Sequence, residues 1–338
     1  MGYLIKNGTV VYSKGSYTAD ILIQDEKIVQ VAKTIEEPGM TVIDASGKYI
    51  FPGFIDTHTH FDLDAGEFHT ADDFYTGTKA AVAGGTTVIL DFVTQDKGHT
   101  LAEALDTWHS LADGKCSCDY GFHMSITDWN DKVRDELKDM TWRGVTSYKL
   151  YMAYDNLKVN DKEIFEILSA VEQEHGIVGV HCENGEIIKA MTEKLKLQQK
   201  NSVSLHPKSR PAEAEAEAVH RLLTIAKLTN TPVNIVHLSS ELGLKEVQRA
   251  RRSGQQVFAE TCPQYLILND SEYNRPGFEG AAYVCAPPLR KKEDIRALWK
   301  VVAASEIDMI GPDHCSFHMN GQKTRGMDDF TRIPGGIP

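Results

Sequence analysis

The sequence predicts an α/β chain, a (β/α)8 TIM-like barrel set behind a short β-rich region. Three observations carry this reading. Eight apolar strand segments follow Phe51, helical segments alternate with them, and no glycine-rich phosphate turn follows the first of the eight. An open doubly wound sheet would need that turn. Eight βα alternations over roughly 285 residues suit a barrel, whose usual size is about 250 residues plus insertions.

In chain order, residues 1–52 read as strands. LIKNGTVV, ADILIQDEKIVQVA and TVIDASGKYI hold β-branched runs broken by Asn-Gly, Asp-Glu and Ser-Gly turn chemistry. So few strands are marginal alone, so partners outside this stretch are expected. Residues 53–338 read as the barrel. Its strands are FPGFIDTH, TTVILDFV, DYGFHMSI, VTSYKLYM, IVGVHCE, VNIVHLS, QVFAETCP and DMIGPDH. Helices are expected at DDFYTGTKAAVAG, LAEALDTWHSLA, DKEIFEILSAVEQEH and PAEAEAEAVHRLLTIAKL. In the last of these, Val219, Leu222, Leu223 and Ala226 recur at i, i+3, i+4 and i+7, one helix face.

Composition narrows the function. With 48 acidic and 36 basic residues the net charge is −12, which disfavours nucleic acid or an anionic membrane as partner. No apolar run approaches the ~18 residues of a spanning helix. Six cysteines are scattered without a disulfide rhythm and read as free thiols of a reducing cytoplasm.

Chemistry in a barrel sits at the C-terminal strand tips. Those tips hold His58, His60, Lys149, His181, His237 and Asp313. His58 and His60, two apart on a strand, project to one face and can chelate one cation. An isolated H-x-H pair is usually coincidence; after Gly-Phe-Ile-Asp at the first barrel strand it is not. His181 and His237 end two further apolar strands, where a lone histidine is more often structural but a matched pair suits a metal. Asp313 can hold a metal and accept a proton, and its neighbour His314 should point away in a structural role. Lys149 lies among aromatic and aliphatic residues that would desolvate it. A buried lysine has a lowered pKa, and its neutral amine can add CO2 to become a carbamate able to bridge two cations.

The stretches GFIDTHTH, DDFYTGTKAAVAGGTTVILDF, SYKLYMAY, HCENGEII, VHLSS, AETCPQYL and GPDHCSF, followed by GQK and DDFTRIP, resemble the amidohydrolase superfamily. The likeness is closest to its dihydropyrimidinase/hydantoinase branch and spans nearly the whole chain. It implies a barrel with a small β-sandwich, of which only the N-terminal strands lie in this chain. It also implies two zinc ions bridged by N6-carboxylated Lys149 and a hydroxide. His58, His60, Lys149 and Asp313 would hold one zinc; Lys149, His181 and His237 would hold the other.

The implied reaction opens the cyclic amide of a dihydropyrimidine or 5-substituted hydantoin to an N-carbamoyl amino acid. Asp313 would shuttle the proton and Tyr154 would stabilise the oxyanion. The ligand would be a small cyclic ureide or imide, and the protein a homotetramer. Backbone near Ala286 and Gly335 would read the imide edge, where relatives typically carry Ser and Asn. Phe61, Leu63, Phe68 and Leu157 are candidate contacts for the ring substituent, with ordinary loop packing as the alternative. The rival reactions are allantoinase and dihydroorotase. Asp62 and Asp64 after the H-x-H pair disfavour the latter's anionic substrate. A non-catalytic scaffold is the rival of another class. The branch continues well beyond GGIP, so a fragment with unpaired strand edges is expected, poorly soluble and weakly active.

Overall fold

In the computed structural model, which describes residues 2–198 and 201–337, Asn7-Gly8 does not turn the chain. Strand β1 (Gly2–Tyr12) runs through it and pairs antiparallel with β2 (Gly15–Gln24), with a register shift between Ile5 and Gly8. Asn7 takes a φ of 65° and its N–H donates to Asp20 Oδ1 at 2.9 Å, so the dipeptide makes a bulge. A side chain at position 8 would strike Ile50, its Cβ lying 2.3 Å from Cδ1. The Asp-Glu turn forms as expected: Asp25 and Glu26 have φ of 48° and 64°, a primed hairpin turn into β3 (Lys27–Ala32). Strands β4 (Thr41–Asp44) and β5 (Tyr49–Ile50) pair parallel to β1 on its other edge.

The chain divides into two compact units, one of residues 1–55 with 85–87, the other of 56–84 with 88–338. The first division therefore falls after Ile55 rather than after Pro52. The small unit carries one five-stranded sheet, ordered β3-β2-β1-β4 with β5 beside β1. Leu4, Leu22 and Ile35 form its core, while Ile28, Val29, Val42 and Tyr49 stand exposed.

The large unit is built from parallel strands with helices between them. Strand β6 (Phe54–Thr59) leads to α1 (Phe74–Ala83), β7 (Thr86–Thr94) to α2 (Leu101–Ala112), and β8 (Asp119–Ser125) to α3 (Asp131–Trp142). Next come β9 (Ser147–Tyr151) with α4 (Asp161–Gln173), and β10 (Ile177–His181) with α5 (Gly185–Lys196), the short α6 (His206–Ser209) and α7 (Ala212–Thr229). Strand β11 (Val233–Ile235) leads to α8 (Glu241–Arg252), β12 (Val257–Thr261) to α9 (Pro263–Ile267) and α10 (Lys292–Ala303), and β13 (Met309–Ile310) comes last. All eight barrel strands lie in sequential order in one sheet. Its ends meet where His60 N–H donates to His314 O at 2.8 Å and His314 N–H to His58 O at 3.1 Å. That closure brings the first strand tip to the last.

Sequence explains the helix starts. Thr100 with Glu103, and Asn160 with Glu163, form reciprocal capping boxes at α2 and α4. Asn130, Asn184 and Ser240 cap α3, α5 and α8, each such cap being worth about 1 kcal/mol. The expected face of α7 is buried at Val219, Leu222, Leu223 and Ala226, packed in one core with Val180, Ile235 and Ala259 of the sheet. Strand β13 is shorter than DMIGPDH suggested, because Pro312 lacks the N–H that would continue the ladder.

Candidate metal centre

The histidine tips converge as two pairs. His58 is fully buried, and its Nε2 lies 3.0 Å from Asp313 Oδ1. His60 Nε2 lies 3.3 Å from the same oxygen, and one ligand atom from each of these three residues falls within 4.8 Å of the others. Across the barrel mouth, His181 Nδ1 and His237 Nε2 stand 3.0 Å apart. The rings of His58 and His237, centroids 5.7 Å apart, join the pairs. His237 and Asp313 follow their strands with φ of 40° and 54°, left-handed conformations that cost a non-glycine residue energy and recur at functional sites.

Lys149 lies inside β9 rather than at its end, and is 1% exposed. Its Nζ sits 4.7 Å from the Phe92 ring centroid and 5.3 Å from that of Tyr151. Among the described residues no carboxylate lies within ion-pair distance of it. Burial lowers its pKa to about 8, against the pull of Asp313 and Glu260.

Two carboxylates outside the expected set orient the imidazoles. Glu260, at the tip of β12, approaches His58 Nδ1 at 2.6 Å and accepts the His237 backbone N–H at 3.1 Å. Glu183 meets His181 Nε2 at 2.9 Å and pairs with Arg210. Each carboxylate engages one ring nitrogen and turns the other inward, His58 Nε2 toward Asp313 and His181 Nδ1 toward His237. Burial disfavours charge on His58, yet Glu260 and Asp313 outweigh it and raise its pKa to about 9. Burial lowers His60, His181 and His237, so these rings are neutral and able to ligate. Asp91 braces the H-x-H segment by accepting from Thr59 Oγ1 and the Phe61 N–H, both at 2.8 Å. Glu183, Glu260 and Asp91 lay inside the quoted motifs HCENGEII, AETCPQYL and DDFYTGTKAAVAGGTTVILDF; Arg210 carried no signal that marks such a role.

The donor set fits a metal. Among the described residues, His60 Nδ1 and His237 Nδ1 are buried ring nitrogens without a hydrogen-bond partner, a cost that coordination could relieve for a nitrogen facing a cation. A cavity of about 140 Å3 opens over them, also lined by Leu63, Tyr154, Leu157, Ala286 and Gly335. Tyr154, with φ of 69°, lies tilted beside His181, ring centroids 5.1 Å apart, and beneath the Arg210 guanidinium at 5.2 Å. Burial raises its hydroxyl pKa to about 12, so it stays protonated at neutral pH.

Phe61 and Phe68 correct the expected ring contacts, because neither lines this cavity. Phe61 is 2% exposed and packs against Phe74 and His314. Phe68 packs on Phe317 and under Arg325. His314 has the structural place expected of it, 2.9 Å from Asp72.

A closed parallel barrel with histidines and an aspartate at its strand tips defines a metal-dependent hydrolase architecture. The sequence profile of the amidohydrolase family matches residues 49–331, and the chain belongs to that family. Within it, the chain is 43% identical to the D-hydantoinase of Geobacillus stearothermophilus, covering 100% of this chain and 72% of that protein. A D-hydantoinase of Streptomyces coelicolor is 40% identical, over 99% and 73%. The crystal structure of dihydropyrimidinase from Brevibacillus agri superposes with a TM-score of 0.98 at 41% identity, over 100% of this chain and 74% of that one. Among the described residues no helix is long and apolar enough to cross a membrane.

Proposed function

We propose that this chain hydrolyses the cyclic amide bond of dihydropyrimidines or 5-substituted hydantoins, releasing an N-carbamoyl amino acid. The observation that carries this is the convergence of His58, His60 and Asp313 within 4.8 Å, in a chain 43% identical to a D-hydantoinase. In this reading His58, His60, Lys149 and Asp313 hold one zinc, and Lys149, His181 and His237 hold a second. Lys149 serves both as its N6-carbamate. Its burial without a carboxylate partner among the described residues supports the modification, which exchanges a costly buried cation for an anion between two cations.

When bound, the metals supply Lewis acidity and water of near-neutral pKa. The chain supplies the rest. The Tyr154 hydroxyl, protonated at neutral pH, donates to the carbonyl oxygen as charge grows on it. Asp313, held ionised by the histidines against its burial, accepts the proton of the attacking water and returns it to the leaving ring nitrogen. Backbone at Ala286 and Gly335 reads the planar imide edge, and Leu63 and Leu157 meet the ring substituent.

A homotetramer in the cytoplasm is part of the same reading, and the six free cysteines suit a reducing compartment. A panel of dihydrouracil, dihydrothymine, substituted hydantoins, allantoin and dihydroorotate, on protein supplied with zinc and bicarbonate, tests it. Ring opening confined to the first three classes is expected. Turnover of dihydroorotate or allantoin alone, or none with the sites loaded, would overturn it. Light scattering checks the oligomer.

A further inference from the structure

Lys323 is a buried cation. It is 2% exposed, and among the described residues no carboxylate lies within ion-pair distance of its Nζ. The ammonium donates instead to three main-chain carbonyls: Gly336 at 2.8 Å, Val284 at 3.2 Å and Pro334 at 3.3 Å. These carbonyls belong to two segments distant in sequence, which also meet directly where Gly336 N–H donates to Val284 O at 2.9 Å.

Both segments wall the candidate site. Cys285 and Ala286 follow the first carbonyl, Gly335 and Gly336 carry on from the second, and all four line the cavity with Asp313. The second segment is pressed against the stretch after Asp313, since a Cβ at Gly336 would lie 2.0 Å from Cys315 O. Volume alone does not call for a charge here, because a methionine would fill much the same space. What an apolar side chain lacks is three N–H donors fanning from one atom, the set that can tie three carbonyls together. A buried ammonium is retained only where such partners compensate its lost hydration.

We propose that Lys323 is a positioning residue for ring recognition. By tying Val284 to Pro334 and Gly336 it fixes the two stretches of backbone, at Ala286 and Gly335, that face the substrate's imide edge. The inference rests on the ring-opening reading above and names the side chain that sets its binding geometry.

The test compares Lys323→Met and Lys323→Gln in the full chain supplied with zinc and bicarbonate. Lys323→Met is expected to raise KM about tenfold with kcat changed by less than about twofold, the mark of binding lost equally from ground and transition states. Metal content should match the parent. Lys323→Gln, which returns two N–H donors, should recover part of the KM. Hydrogen exchange reads the clamp without turnover: the amides of residues 284–286 and 335–337 should exchange faster together in Lys323→Met, with those of β9 and β10 unchanged. An unaltered KM overturns the role even where the parent opens rings. So does exchange that rises throughout the chain, or in neither segment. If the parent opens no ring, the functional reading fails instead, and the exchange experiment still decides whether the clamp exists.

Discussion

Glu260 Oε1 lies 2.6 Å from His58 Nδ1, while the other nitrogen of the same ring, Nε2, faces Asp313 at 3.0 Å. The carboxylate also takes the His237 backbone N–H, so one buried side chain serves a histidine from each pair. Glu260→Gln keeps the shape and removes the charge that holds the Nδ1 proton. Metal affinity should fall about 10- to 100-fold, the usual loss when such an orienting group is removed. Metal titration of the apo-protein checks it; unchanged affinity would mean that packing alone orients His58.

If Lys149 bridges the metals as proposed, Lys149→Ala should remove bound metal and activity together. Short carboxylic acids added to the variant should return part of the activity by occupying the vacated position. Elemental content measured beside turnover decides this, and normal metal content in Lys149→Ala would sink the bridging role.

Gly335 and Gly336 should respond oppositely to alanine. A Cβ at Gly335 meets nothing closer than 3.8 Å, the Ala286 nitrogen, whereas one at Gly336 would lie 2.0 Å from Cys315 O. Gly335→Ala is therefore expected to keep KM within about twofold, and Gly336→Ala to raise it about tenfold or more as the wall segment moves. Steady-state kinetics on the two variants separates them.

His206 predicts an acid-sensitive window of stability. Its Nε2 is paired with the Cys285 carbonyl at 2.8 Å, and burial, reinforced by Arg210, lowers its pKa to about 4 from 6.5. The unfolded chain thus binds the proton more readily. The stabilisation from the neutral buried ring is complete above pH 6.5 and is lost as pH falls through 4. A shift of this size is on the order of 3 kcal/mol at most. Urea midpoints measured from pH 7 to 4 should fall more steeply in the parent than in His206→Gln; parallel curves would refute the assignment.

The folded chain bears out much that was legible along it. Eight apolar runs with intervening amphipathic segments became the eight strands and their helices. His58, His60, Lys149, His181, His237 and Asp313 line one cavity, Lys149 from within its strand rather than from the tip. Asn7-Gly8 misled, because a dipeptide that suits a hairpin turn also suits a bulge, and only the pairing with β2 chooses between them. Phe61 misled in a related way: its place after the H-x-H pair says nothing about which side of the loop its ring takes.

What the sequence by itself determined is periodic and local: strand and helix segments, acidity, and the chemical types available at each strand tip. These depend on side-chain spacing and on hydrogen bonds within a few residues. Only the tertiary structure decided that Glu260 reaches His58 across 202 positions, that Glu183 couples Arg210 to His181, and that Lys323 gathers Val284 with Gly336. A carboxylate or an ammonium in a sequence carries no mark of its partner, because burial and neighbours, which set both its protonation and its role, exist only once the barrel has closed.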